Sequence, residues 1–298
     1  MSKHQLTGFL LVDKPQGWTS HDVVAKVRGM VKGKVGHAGT LDPMATGLLV
    51  IGLGRATKLL RFVQGREKEY LATAQLGVAT DSLDADGAVL SREPLPVTAE
   101  QVDAAMERFR GEILQIPPMV SARRVEGKRL YELAREGKVV EREARPVTIH
   151  RLDLVDLAPS DYPEATFRTV CSTGTYVRTL GDDIGRALGG RAHLTALRRV
   201  RIGGMHVRDA ESIDALIERH DRGTIDQVVL SAWDGLDGME ELIVDEATEF
   251  RIRNGRRFDV DQVSGRNPTL LRIANRRGDL IAVYRLEGQE YVPEVVFA

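Results

Sequence analysis

Residues 36–58, GHAGTLDPMATGLLVIGLGRATK, join a loop rich in glycine and threonine to a continuous apolar run. The glycines of the loop allow the backbone to approach a ligand closely. Asp42 precedes Pro43, and the residue before a proline is disfavoured in helical backbone, so Asp42 is predicted to be extended. The apolar run at 48–54 predicts a buried strand. Such a loop can present a carboxylate into a cleft, but Asp before Pro is also common in turns, and spacing alone leaves both interpretations open.

The sequence on both sides of this stretch alternates between strand and helix patterns. Strands are predicted at 8–13, 68–78, near 147–157 and near 165–172, and helices at 20–32, 129–137, after Gly174 and at 211–220. The tail, 242–298, holds short apolar segments separated by glycine-containing turns, which is typical of a small β-rich domain. The pattern predicts an α+β fold: a mixed central β-sheet flanked by helices, and a small C-terminal β domain.

A further helix is predicted from a capping box at Thr98 and Gln101, in which the two side chains reciprocally cap the first turn. Its apolar stripe runs over Val102, Met106, Phe109 and Ile113. The prolines of IPP (116–118) should end it, because they cannot continue the helical hydrogen-bond ladder.

The overall composition is that of an ordinary globular protein. The chain has 298 residues, 42% of them hydrophobic and 29% charged, with a formal net charge of −1. It has no apolar stretch long enough to span a membrane and no N-terminal secretion pattern, and its single cysteine fits a reducing cytoplasm. Neither a metal site nor a dinucleotide or P-loop site is indicated, because the required spacings are missing. Basic residues gather at 121–138, 197–208 and 251–257, where clustered cations could bind phosphates or simply be solvated.

Five separated blocks resemble one known family, the bacterial tRNA pseudouridine synthases of the TruB type, which modify uridine 55 in the T-loop. The blocks are LLVDKPQGWTSHDVV, GHAGTLDPMATGLLVIGLGRATK, KEYLATAQLGVATDSLDADG, PPMVSARRVEGKRLYELAREG, and CSTGTYVRTLGDDIG followed by LRRVRIG. They cover most of residues 8–204 in the family's order. The resemblance implies the pseudouridine synthase fold over a catalytic domain, 1–240, with an RNA-gripping insertion at 121–150. It also implies that 241–298 is a PUA-like RNA-binding domain.

The resemblance also implies roles for particular side chains. Asp42 matches the catalytic aspartate and Arg178 the arginine that pairs with it, a pairing expected to keep Asp42 ionised. Tyr70 matches the aromatic residue that stacks on the target base. His37, Lys14 and Leu197 match substrate-binding residues, although a structural role is an open alternative for each.

The reaction that the resemblance implies breaks the N1–C1′ bond of uridine and rejoins C5 of the base to C1′. A carboxylate could attack C1′, assist glycal formation or add to C6, and the sequence does not decide among these routes. The base must first be flipped out of its stack. No cofactor is implied, and the expected partner is the tRNA T-arm, bound by a cytoplasmic monomer without a protein partner.

Two other functions are compatible with parts of the sequence. A uridine C5-methyltransferase would need a thiolate, for which Cys171 is the sole candidate, but no glycine-rich methyl-donor site accompanies it. A non-catalytic RNA-binding or RNA-folding protein is disfavoured by Asp42, Tyr70 and Arg178 occurring together.

Overall fold

The computed structural model describes residues 4–118, 124–125, 128–129, 141–260 and 268–297. Apart from Arg129, the predicted helix at 129–137 lies outside these residues, as does about half of the predicted insertion at 121–150. No described helix is both long and apolar enough to cross a membrane.

The strands divide between one large sheet, one C-terminal sheet and three short pairs. They are β1 (His4–Gln5), β2 (Gly8–Lys14), β3 (Val31–Lys32), β4 (Val35–His37), β5 (Thr46–Leu53), β6 (Lys68–Leu76), β7 (Val78–Thr80), β8 (Val89–Arg92), β9 (Gly111–Gln115), β10 (Arg124–Val125), β11 (Lys128–Arg129), β12 (Arg145–Ala158), β13 (Glu164–Cys171), β14 (Ala192–Ile202), β15 (Met205–His206), β16 (Glu211–Ser212), β17 (Val229–Leu230), β18 (Glu240–Val244), β19 (Phe258–Asp259), β20 (Leu270–Asn275), β21 (Leu280–Glu287) and β22 (Glu290–Val296).

The large sheet has eleven described strands, in the order β16-β2-β5-β14-β6-β13-β12-β9, with β4, β15 and β17 paired at its sides. Most neighbours are antiparallel, but β14 pairs parallel with β5, and β16 parallel with β2. The mixed sheet therefore agrees with the predicted fold class. Its centre is β14, which joins β5 to β6 and so brings the loop before β5 next to Tyr70 on β6. The sequence had shown this segment as a basic cluster and had not predicted a strand.

The helices pack on the sheet through apolar stripes. They are α1 (Ser20–Met30), α2 (Leu60–Gln64), α3 (Ala99–Met106), α4 (Val177–Ala187), α5 (Ile213–Arg222) and α6 (Glu246–Arg253). The capping boxes at Thr19/Asp22 and Thr98/Gln101 both form.

The predicted helix from Thr98 to the IPP prolines was wrong in its second half. Helix α3 ends at Met106, a single 3₁₀ turn follows, and Gly111 adopts a φ of 89° that helical backbone does not allow. Ile113 lies on strand β9, opposite Val147 of β12. Ile113 is apolar because it is half-buried where β9 pairs with β12, and its helical spacing from Phe109 is a coincidence.

The C-terminal domain is a five-stranded sheet in the order β18-β20-β21-β22-β19, with α6 packed against it. The tail had been predicted as strands alone, so α6 is an addition. This sheet packs against the large sheet through one shared apolar cluster, which contains Val283 and Phe297 together with Phe9 and Leu11. A salt bridge of 2.6 Å between Arg61 and Glu294 reinforces the seam.

Candidate active site

The loop that carries Asp42 connects β4 to β5 and is fixed from two sides. On one side, the buried Nζ of Lys14 donates hydrogen bonds to the carbonyl oxygens of Pro15, Trp18 and Pro43 at 2.9, 2.6 and 3.3 Å. The hydroxyl of Ser20, at the start of α1, accepts from the Leu41 amide at 2.9 Å. These contacts hold the residues directly before and after Asp42.

On the other side, the loop is held by Arg199 of β14, a guanidinium that is only 1% exposed. Arg199 donates to the carbonyl oxygens of Leu48 at 2.7 Å and Gly39 at 3.1 Å. Gly47 has a φ of 99°, and a Cβ there would lie 2.3 Å from the Arg199 carbonyl oxygen. Only glycine fits at this position against β14, which explains why Gly47 stands where the loop joins the apolar run.

Asp42 faces Arg178, which lies in the first turn of α4 and is 4% exposed. The Nε of Arg178 lies 3.0 Å from Oδ2 of Asp42, and its Nη1 lies 2.9 Å from Oδ2 of Asp84. Nη1 also donates to the Ser82 carbonyl oxygen at 2.9 Å. One buried guanidinium therefore joins two carboxylates, and the expected pairing of Asp42 with Arg178 is present.

The pKa of Asp42 shifts in the direction opposite to that expected from the ion pair alone. Burial raises the pKa of Asp42 above its ordinary value of 3.8; Arg178 lowers it, while the charge of Asp84 raises it further. Although 36% of the Asp42 side chain is exposed, that surface opens onto a walled cavity, where water solvates a charge poorly. Arg178 orients the carboxylate but does not outweigh its desolvation.

The cavity in front of Asp42 has a volume of about 310 Å³. Its described walls come from the Asp42 loop, β6, β14, and the turn leading into α4. They are formed by Gly39, Thr40, Leu41, Asp42, Gln64, Lys68, Tyr70, Ser172, Thr173, Gly174, Thr175, Tyr176, Val177, Arg178, Leu197 and Arg199. The lining combines polar and charged groups with aromatic and aliphatic side chains, which suits a planar, polar ligand.

The structure brings four of the six predicted site residues to this cavity: Asp42, Tyr70, Arg178 and Leu197. Tyr70 is 8% exposed, and burial raises the pKa of its hydroxyl, so the phenol stays protonated near neutral pH. Leu197 adds an apolar wall.

The other two predicted residues, His37 and Lys14, are not among the described residues lining the cavity. Lys14 instead supports the Asp42 loop from beneath, and burial lowers its pKa to about 8. His37 lies at the end of β4, where its ring meets His21 edge-on at 5.7 Å. Its Nδ1 is buried and has no hydrogen-bond partner among the described residues. Burial also lowers the pKa of His37, so its neutral form dominates.

Three residues of the site were missed by sequence reasoning. Asp84 was placed in an acidic turn, and Arg199 in a basic cluster. Gln115 is 1% exposed; its amide accepts from the Tyr176 N–H at 3.0 Å and donates to the Tyr176 carbonyl at 3.3 Å, which fixes the start of α4. No local pattern marks Gln115, whereas the three acids of DSLDAD within one short turn were a signal for Asp84.

Cys171 does not line the cavity. It is buried at the end of β13, and burial raises the pKa of its thiol to about 11. Such a thiol is not a thiolate at neutral pH, so the geometry speaks against a methyltransferase that attacks through sulfur.

The fold class follows from solved structures. The chain resembles the crystal structure of a Cbf5-Nop10-Gar1 complex. The TM-score is 0.76 and the sequence identity 24%, and the match covers 98% of this chain and 85% of that chain. An archaeal box H/ACA sRNP Nop10–Cbf5 complex gives 0.75 at 23% identity, covering 99% and 87%. The chain therefore shares the fold of a chain in each of these complexes, with a large mixed sheet and a C-terminal β domain.

Sequence comparisons define the family. Residues 26–177 match the model of the TruB family pseudouridylate synthase N-terminal domain, and 178–233 match that of the tRNA pseudouridylate synthase B C-terminal domain. The tRNA pseudouridine synthase B of Solibacter usitatus is 42% identical over 281 residues, which is 93% of this chain and 95% of the relative. That of Mycobacterium bovis is 50% identical over 215 residues, 71% of this chain and 72% of the relative. The chain belongs to the TruB family, whose activity is the isomerisation of uridine in tRNA to pseudouridine.

Proposed function

We propose that this protein converts uridine 55, in the T-loop of tRNA, to pseudouridine, with Asp42 as the nucleophile. The observation that carries the proposal is one loop-borne carboxylate, held by Arg178, at the floor of a cavity with an aromatic wall. The position in the tRNA rests on the resemblance of the five sequence blocks to enzymes that act at that site.

The carboxylate of Asp42 acts on the flipped nucleotide while the base changes its attachment. The N1–C1′ bond breaks, the uracil rotates, C5 bonds to C1′, and the C5 proton leaves as N1 gains one. The loop is held by Lys14, Ser20 and Arg199, so the attacking oxygen stays in place during this rotation. Its raised pKa keeps it a stronger base than an ordinary aspartate, while Arg178 limits protonation near neutral pH.

Tyr70 stacks on the extruded uracil, and Leu197 supports the opposite wall. Stacking on a flipped base is worth roughly 1–3 kcal/mol, which offsets much of the unstacking that flipping requires. The protonated phenol of Tyr70 can also donate a hydrogen bond to the base.

RNA contacts outside the cavity complete the proposal. His37, beside the Asp42 loop, holds the rearranged RNA loop with a neutral ring. The insertion at 121–150 grips the T-arm, and the domain 241–298 binds RNA as a PUA-like module beside the catalytic domain, 1–240. The enzyme acts as a cytoplasmic monomer without a protein partner. It needs no cofactor, since an isomerisation takes no group or electron from outside.

The test uses an unmodified tRNA T-arm and the full-length protein. Pseudouridine is mapped by carbodiimide treatment and reverse transcription, because its mass equals that of uridine. We expect a single stop corresponding to position 55. Asp42→Asn should lower turnover by about 10⁴-fold or more, as removal of a catalytic nucleophile does, while RNA affinity is retained.

Cys171→Ser serves as the matched control and should produce the same stop as the wild type. Turnover by Asp42→Asn at the wild-type rate would contradict the assigned nucleophile. A stop at another uridine would contradict the assigned position. An Asp42→Asn protein that binds and refolds tRNA without modifying it would separate RNA folding from catalysis.

A further inference from the structure

A second cavity, of about 360 Å³, lies on the seam between the catalytic body and the C-terminal sheet. Its walls come from β2, the segment before β6, the β14–β15 turn, the linker at 228–237, and β20. They include Arg66, Trp233 and Arg272, and the apolar side chains of Leu11, Met205 and Leu230. It is separate from the Asp42 cavity, although Arg66 lies two residues from Lys68, which lines that cavity.

Two guanidinium groups at this cavity each keep one buried nitrogen atom without a hydrogen-bond partner among the described residues, Nη1 of Arg66 and Nε of Arg272. Arg66 makes no salt bridge with a described residue, and its Nη1 is buried without a hydrogen-bond partner among them. Burial lowers the pKa of Arg66, the charge of Asp237 raises it, and the nearby charge of Arg272 lowers it. Arg272 is 7% exposed and lies over the Trp233 ring, 4.0 Å from its centroid. Two cations of like charge, one half-buried and one buried, are unfavourable side by side unless anions offset them.

The carboxylates around the cavity meet this need only in part, because they lie at its exposed rim. Asp237 lies 3.6 Å from Arg272 but is 75% exposed at the rim, and Glu241 reaches the outer Nη2 at 3.1 Å. Asp234 accepts the Ser231 hydroxyl at 2.7 Å, and Asp209 lies beside the exposed Arg208. The rim acids are solvated and able to turn outward, whereas the two arginines are fixed in the wall.

The arginine pair fits the geometry of a phosphate. A guanidinium presents several N–H donors in a planar fork that matches phosphate oxygens, and its binding energy rises when water is excluded. The Trp233 face and the Leu11 and Met205 side chains supply a low-dielectric wall.

From this arrangement we infer that the seam cavity binds a phosphate group between Arg66 and Arg272. The phosphate has two sources in principle: the backbone of a bound RNA, which rests on the proposed function, or a free phosphate or phosphate-bearing small molecule. We assign the phosphate to RNA, because Arg66 lies two residues before Lys68, which lines the Asp42 cavity.

The binding test needs no RNA, so it is independent of the proposed function. Trp18 and Trp233 are the two tryptophans of the chain. A Trp18→Phe protein therefore reports on the cavity through Trp233 alone. We expect a saturable change in its emission on titration with inorganic phosphate at constant ionic strength. Arg66→Gln should weaken this binding by roughly ten- to a hundredfold, the effect of losing a charge-assisted hydrogen bond. Arg66→Lys should recover part of it.

Arg222→Gln is the control. Arg222 is 74% exposed on α5, so this substitution removes the same charge at a site outside the cavity. It should leave phosphate binding unchanged. A phosphate response that is absent, or equal in the wild type and Arg66→Gln, would overturn the site. Arg272→Gln would also remove the contacts of Arg272 with Trp233 and Glu241, so the test uses substitutions of Arg66.

A second arm assigns the source. If the phosphate belongs to RNA, Arg66→Gln weakens binding of the T-arm and lowers the slope of log affinity against log salt by about 1, whereas Arg222→Gln does not. If inorganic phosphate binds through Arg66 but RNA affinity and its salt slope are unchanged in Arg66→Gln, the RNA assignment is wrong and the ligand is a small phosphate.

Discussion

The Nε atom of Arg178 lies 3.0 Å from Oδ2 of Asp42, while the same guanidinium reaches Asp84 at 2.9 Å. The two carboxylates belong to different loops, and Arg178 begins a helix more than 90 residues further along the chain. This single side chain connects α4, the Asp42 loop and the turn at 81–87. Its loss therefore affects both the geometry of the site and the stability of the fold.

Arg178→Ala is expected to lose turnover and stability together. Removal of the guanidinium leaves Asp84 buried without its cation, which costs about 3–5 kcal/mol of unfolding free energy. Loss of an orienting donor lowers the rate by roughly 10²–10³-fold. Urea denaturation and single-turnover assays measure the two effects.

Arg178→Lys separates these effects. Lysine restores the charge but cannot contact both carboxylates as a fork does, so stability should return further than the rate. Normal turnover in Arg178→Ala would show that the ion pair has no catalytic importance.

Asp84→Asn tests the electrostatic part of the site. The charge of Asp84 raises the pKa of Asp42. In the wild type, catalysis by an ionised Asp42 should therefore fall, as pH decreases, through a pKa above 3.8. Asp84→Asn removes one of the charges that raise the pKa of Asp42. The acid limb of the plot of turnover against pH should therefore move to lower pH. An unchanged acid limb would mean that Asp42 does not control it.

The part of the site that a sequence can predict is the part encoded locally. Gly47, Asp42 and Pro43 lie within six residues, and the loop that they predict is present. The arginine partner was accessible only through the resemblance, because Arg178 is far from Asp42 in the chain. The capping box at Thr98 and Gln101 was predicted correctly for the same local reason, since it depends on two side chains three residues apart.

The residues that were missed depend on long-range pairing. Asp84 is buried by a bridge to Leu194, and Arg199 becomes a wall of the site only because β14 lies between β5 and β6. Ile113 fits a helical stripe as well as a strand, and the pairing with Val147 decides between them. Such choices are made by partners distant in sequence, which periodicity does not contain.

Cys171→Ser should leave turnover within about a factor of two, because the thiol is buried, is not among the described residues lining the cavity, and has a pKa raised to about 11. A small loss of stability is expected, since a hydroxyl replaces an apolar group in the core. Initial-rate assays at neutral pH check the first point. A loss of turnover at saturating RNA by a stably folded variant would reopen the thiolate alternative.

Lys68 gives a prediction for stability against pH. Its Nζ donates to the carbonyl oxygens of Gln64 and Arg66, each at 2.8 Å, and burial lowers its pKa from 10.5 to about 8. Between these values the unfolded chain holds the proton and the folded protein does not. Since stability rises with pH wherever the unfolded state binds more protons, folding should become more favourable from pH 8 to 10.5. The comparison is with Lys68→Met, which lacks the titrating group. The unfolding free energy of the wild type minus that of the variant should be constant below pH 8 and increase above it, as measured by urea denaturation across this range. A difference that stays level, or declines as the pH rises, would show that the ammonium group is not destabilised by its position in the cavity wall.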